Sequence, residues 1–119
     1  MGGTPQMKGH PLMEHEVRTE GKFTVVTLKG EVDMHCSPQA RKLILASLEQ
    51  NRPLLVELSG VGYMDSSGVA SLVEGLQLAK KRNLAFALAG ASQPVMNVLR
   101  LARLDRVFTI HATLEDALA

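Results

Sequence analysis

Aromatic side chains are scarce in this chain: Phe, Tyr and Trp together make up 3% of it, and Trp is absent. A core built from this sequence must be aliphatic, drawn from Leu, Val, Ile, Met and Ala. There is one cysteine, Cys36. A single cysteine closes no internal disulfide and does not suggest a zinc site, so a reducing compartment fits. Charge of one sign is also lacking. The formal net charge is +1, with acids and bases mixed along the chain. Without a basic stripe, nucleic-acid binding has no electrostatic support. No stretch approaches the roughly 20 apolar residues that span a bilayer, so no membrane insertion is expected. Residues 1–14 lack the apolar core of about 7 residues that a secretory signal needs. A soluble, cytoplasmic protein is the expectation.

What is present suffices for one compact domain. The chain has 119 residues, of which 45% are hydrophobic and 21% charged. That is the range of a soluble globular domain needing neither metal nor disulfide. Residues 1–13, with Gly2, Gly3, Pro5, Gly9 and Pro11, read as a flexible tail. No internal repeat or low-complexity block occurs.

The pattern of elements then follows. Residues 14–20 give a weak strand signal, Gly21-Lys22 a turn, and residues 23–28 a Val/Thr/Phe-rich strand, hence an opening hairpin. Residues 30–36 read as a loop. Ser37-Pro38 opens a helix, serine as cap and proline in the first turn, and Ala40, Leu43, Ile44 and Leu48 recur at helical spacing. Residues 51–53 break it. Residues 54–58 form a buried strand and residues 59–64 a loop. Val69, Leu72, Val73, Leu76 and Ala79 define an amphipathic helix. Lys80-Lys81-Arg82 read as cations favoured at its C-terminus rather than as an anion-binding or membrane patch. Residues 84–89 form another strand. Ser92 and Pro94 open a third helix, residues 107–110 form a last strand, and Thr113 with Asp116 marks a capping box. Strands joined through helices pair in parallel, and the hairpin is antiparallel. The expectation is a single α/β domain with a small, mixed, mostly parallel sheet and its helices mainly on one face.

The informative segment is Tyr63-Met64-Asp65-Ser66-Ser67-Gly68, between a buried strand and the amphipathic helix. A helix N-terminus offers free backbone N–H groups and positive dipole character, so a phosphate on a serine there is tolerated locally. It would also add about −1.5 to −2 charges at the surface. Gly68 leaves the backbone uncovered, which would let a kinase approach. The plainer alternative is that Asp and Ser are common helix caps, so the segment could serve capping alone.

Met64-Asp65-Ser66-Ser67-Gly68-Val69 resembles the signature of the STAS family, the anti-sigma factor antagonists of bacteria. Leu28-Lys29-Gly30-Glu31-Val32-Asp33 is similar to a strand-end segment of that family. Leu58-Ser59-Gly60-Val61 is similar to its third strand and following loop. Val95 to Leu104, with Phe108 after it, resembles its late helix and last strand. The resemblance spans residues 14–119 and implies a STAS domain over that range. It implies a protein that binds an anti-sigma factor serine kinase when unphosphorylated and is released once Ser66 is phosphorylated, with Ser67 as a secondary acceptor. Asp65 would shape the turn and Asp33 would contact the partner. Gly68 belongs to the same surface, and Met34 and Met64 are its candidate apolar contacts, each equally placed to be core filler. The alternative role on the same fold is an accessory subunit of a lipid-transport ABC complex or a scaffold of a sensory complex.

Enzymatic activity is not expected. Asp65, Ser66 and His35 include the residue types of a hydrolase triad, but no G-x-S-x-G elbow is present. His10, His15, His35 and His111 are scattered and read as surface residues. No G-x-x-x-x-G-K or G-x-G-x-x-G motif occurs, so no cofactor is implied. A lone domain of this size with mixed surface charge is expected to be a monomer.

Overall fold

The computed structural model describes residues 13–119. The expected flexible tail falls outside the described residues apart from Met13. That side chain is buried, 7% exposed, and belongs to the main core.

Nine elements follow one another: β1 (Glu14–Glu20), β2 (Phe23–Val32), α1 (Ser37–Leu48), β3 (Leu54–Met64), α2 (Ser66–Lys81), β4 (Phe86–Ala89), α3 (Gln93–Leu101), β5 (Thr109–His111) and α4 (Leu114–Leu118). The sheet order is β1-β2-β3-β4-β5. β1 pairs antiparallel with β2, and the remaining pairs are parallel. Chain order and sheet order coincide because a helix carries the chain back after each of β2, β3 and β4.

Alternation along the strands assigns the two faces. Val26, Leu28, Leu54, Val56, Leu58 and Leu88 point to one side. There they meet Ala40, Ile44 and Leu48 of α1, Leu72 and Ala79 of α2, and Val95 and Leu99 of α3. Val25, Leu55, Ala87 and Ala89 point to the other side, where Ala117 of α4 packs on them with Leu114 and Leu118 alongside. Three helices therefore share one face and the short α4 covers part of the other. The core is aliphatic apart from Phe86 and Phe108, whose ring centroids lie 6.2 Å apart.

Several local expectations are corrected. Residues 59–64 are not a loop but the second half of β3, and residues 30–32 likewise extend β2. In this stretch the buried residues are Leu58, Val61 and Met64, three apart. Two register shifts in the pairing with β2 break the two-residue period by which a strand is recognised. Gly30, at φ +94, supplies the backbone freedom at one shift. β4 starts at Phe86, because Asn83 turns left-handed (φ 58) and the Leu84 N–H returns to the Ala79 carbonyl to close α2. β5 starts at Thr109 and leaves Val107 in the preceding turn. Ser37 lies inside α1, preceded by Cys36 with no side-chain cap. Ser92 precedes α3, but its hydroxyl donates to the Val61 carbonyl rather than capping. Thr113 caps α4 as expected, accepting from the Asp116 N–H at 3.1 Å.

Candidate functional site

β2 and β3 end side by side, with Val32 opposite Met64. The chain leaves them into two neighbouring caps. After β2, Asp33 Oδ1 accepts from the N–H groups of His35 (3.0 Å) and Cys36 (3.2 Å). The Asp33 carbonyl also accepts from the Ser37 N–H at 2.7 Å. A short polar side chain folding back on the backbone two and three residues on is a natural turn-former. The carboxylate of Asp33 is thus engaged in shaping the loop. The loop in turn lifts Met34 into solvent, 68% exposed.

After β3, Asp65 is the N-cap of α2. Its Oδ1 accepts from the N–H of Ser67 (3.0 Å) and Gly68 (3.3 Å), and from the Ser67 hydroxyl at 2.6 Å. Partial burial pushes the Asp65 carboxyl up. The Ser67 hydroxyl and the amides of Gly68, Ser67 and Met34 outweigh this and hold it below the usual aspartate value. Asp65 is therefore a charged cap that draws on both loops. Ser66, the first residue of α2, is exposed, whereas Ser67 is half-buried.

Of the candidate partner contacts, Met64 and Gly68 face inward. Met64 is 2% exposed and is core, so it offers nothing to a partner. Gly68 is buried, and a Cβ there would lie 2.6 Å from the Val32 carbonyl oxygen and 2.7 Å from Met64 Cγ. The missing side chain serves the close approach of α2 to the end of β2 and does not open the backbone to a kinase. Asp33, Met34, Asp65, Ser66 and Ser67 do share the C-terminal edge of the sheet.

The fold adds residues that sequence reasoning missed. Between the first turns of α1 and α2 runs a groove of about 240 Å³ bordered by Ser37, Arg41, Ser67, Ala70 and Glu74. Arg41 Nε donates to Glu74 Oε1 across it. The buried Ser71 hydroxyl donates to the Ser37 carbonyl at 3.2 Å and joins the two helices beneath. Tyr63, 47% exposed, flanks the end of β3. Nothing in the sequence signals the Arg41–Glu74 pair, since the two residues are 33 positions apart. Among the described residues no group of three His, Cys, Asp or Glu side chains could hold a metal.

These features define a small α/β domain whose candidate site is an exposed edge built from two capped loops, with charge at its centre and one apolar side chain at its rim. The chain belongs to the STAS family, whose domain model matches residues 14–117. It is 28% identical over 90 residues to the anti-sigma-B factor antagonist of Bacillus subtilis, covering 76% of this chain and 83% of that protein. Among solved structures, an anti-sigma factor antagonist from Mycobacterium paratuberculosis superposes with a TM-score of 0.82 at 28% identity, over 90% of this chain and 92% of the other. A STAS domain protein from Planctomyces limnophilus, described as an anti-sigma factor antagonist, gives 0.80 at 27% identity, over 87% and 94%.

Proposed function

We propose that this chain is an anti-sigma factor antagonist that works by binding and not by catalysis, and that phosphorylation of Ser66 switches it. Unphosphorylated, it docks on an anti-sigma factor serine kinase through the edge carrying Asp33, Met34, Asp65, Ser66 and Ser67. Phosphorylation of Ser66 releases it. The observation that carries this reading is the exposed Ser66 at the first position of α2, directly after the charged cap Asp65. The names of the relatives support the antagonist role.

The physics of the switch follows from that position. A phosphate on Ser66 stands at the positive end of a helix of 16 residues, so the domain itself tolerates it. In a complementary interface the same dianion lies beside the Asp65 carboxylate. Left unpaired there, it costs several kcal/mol. One modification therefore leaves the fold intact and breaks the complex.

The test is intact-mass measurement after incubation with ATP and the cognate kinase, followed by peptide mapping and binding of two variants. A single phosphate on Ser66, weak binding by Ser66→Asp and retained binding by Ser66→Ala are expected. Equal affinity of the two variants would overturn the switch. Complex formation without phosphate transfer would move the assignment to a constitutive scaffold or a transporter accessory subunit.

A further inference from the structure

The cations of this chain are dispersed in the sequence but gathered in space. α1, α2 and α3 each follow a strand of the parallel part of the sheet, so their C-termini all lie at the end opposite Ser66. α2, with 16 residues, puts about 22 Å between Ser66 and Lys81. Its last turn and cap carry Lys80, Lys81 and Arg82, all exposed. Arg82 Nη1 donates to Asn51 Oδ1 at 3.0 Å, which brings the end of α1 alongside. Arg52 Nη2 donates to the Gly21 carbonyl at 2.7 Å and adds the turn containing Lys22. The end of α3 joins the same surface, because the turns preceding β4 and β5 lead into adjacent strands, with Ala87 beside Thr109. This last turn brings exposed Arg100, Arg103 and Arg106.

None of these eight cations has a carboxylate partner among the described residues. By contrast, Arg18, which borders this end, and Arg41, outside it, are ion-paired. The acids at the same end are fewer: Glu20, already paired with Arg18, Glu49 and Asp105, with Glu115 and Asp116 on the short α4, whose Leu118 borders Gly21 and Lys22. The net +1 of the chain thus conceals a strongly basic pole. At its rim stands Leu101, 86% exposed, with Val107, 50% exposed, across the turn. Single exposed apolar residues are ordinary. A leucine this exposed on a turn that also carries exposed Arg100, Arg103 and Arg106 is a different pattern, because it sets an apolar protrusion beside one sign of charge.

We propose that this pole is a peripheral docking surface for an anionic lipid bilayer. Anionic headgroups complement the unpaired cations, and Leu101 and Val107 enter the boundary between headgroups and acyl chains. Charge alone would also suit a nucleic acid, but phosphates give the two apolar side chains no return. A partner helix would need a groove, and at 86% exposure Leu101 lies in none. No helix of the described residues is long and apolar enough to cross a membrane, so the contact is superficial. With the basic pole on the bilayer, the Ser66 edge faces away from it and stays open to a protein partner. The inference stands independently of the phosphorylation reading.

The test is co-sedimentation of the full chain with vesicles of phosphatidylcholine alone or mixed equally with phosphatidylglycerol. Binding is expected only with the anionic vesicles and should fall steeply with salt. The double variant Arg100→Glu/Arg106→Glu should bind at least about tenfold more weakly, since each surface cation contributes measurably near an anionic leaflet. Leu101→Ser should lower affinity severalfold while leaving the salt dependence unchanged. Unfolding temperatures matching the parent chain would show that the variants fold. No binding to anionic vesicles at low salt, or equal binding by all three proteins, overturns the proposal. So does a preference for duplex DNA or for an acidic peptide over anionic vesicles that is lost in the same variants.

Discussion

The Ser67 hydroxyl donates to Asp65 Oδ1 at 2.6 Å, while its neighbour Ser66 is exposed with its hydroxyl outside this network. Two adjacent, chemically identical side chains are thereby made unequal. One is engaged in the cap of α2 and the other faces solvent. Phosphorylation should follow this difference. Ser67→Ala should still accept one phosphate, and Ser66→Ala should accept none, as intact mass with peptide mapping will show. Equal phosphorylation of both variants would mean that the cap does not discriminate.

Asp65 should matter to stability as well as to the site. Asp65→Ala removes the acceptor for two backbone N–H groups, and loss of an N-cap costs about 0.5–2 kcal/mol. Asp65→Asn keeps an acceptor and should lose less. The carboxyl is held below its ordinary value in the folded state. A group depressed in this way contributes stability above its unfolded value, about 3.9 for aspartate, and loses it as pH falls further toward the folded value. Denaturant melts of the parent chain and of Asp65→Asn should therefore converge as the pH is lowered below about 4. A constant gap between them would show that the charge of Asp65 adds nothing.

Gly68→Ala should destabilise the domain. The new methyl would stand 2.6 Å from the Val32 carbonyl oxygen, a backbone atom that cannot swing aside. Overpacking of this kind costs about 1–3 kcal/mol. Alanine is otherwise the better helix former, so a neutral or stabilising result would mean that β2 and α2 move apart freely.

The loop after β2 yields a prediction that separates folding from binding. Met34 is 68% exposed, so Met34→Asp should leave the unfolding temperature unchanged and weaken the complex with the kinase by at least about 1 kcal/mol. Asp33→Ala should instead lower the unfolding temperature as well as weaken the complex, because the N–H groups of His35 and Cys36 lose their acceptor and the loop loses its shape. Calorimetric binding beside thermal melts distinguishes the two outcomes. Unchanged affinity in Met34→Asp would remove the loop from the interface.

Much of the fold could be read from the chain. The helical spacing of Val69, Leu72, Val73, Leu76 and Ala79 and the cap signal at Thr113 lead directly to α2 and α4, because both are local rules. The second half of β3 could not be read that way. Its bulges space the buried residues three apart, and a sheet bulge depends on a partner strand distant in sequence. The site divides in the same manner. The Asp65-Ser66-Ser67-Gly68 segment stands out by its place before an amphipathic helix, and the resemblance to the STAS signature is what singles out Ser66 within it. The burial of Met64 and Gly68 was not legible, because it depends on how closely α2 approaches Val32.

By itself the sequence determined an aliphatic single-domain α/β chain, its order of elements and an Asp-Ser-Ser-Gly capping segment at the start of α2. These follow from composition, periodicity and capping, which act over a few residues. The tertiary structure alone decided which serine faces solvent, which methionine is core, and that Arg41 meets Glu74. It also gathered eight scattered cations at one pole. Each of these depends on contacts between segments tens of residues apart, which packing of the helices on the sheet brings together.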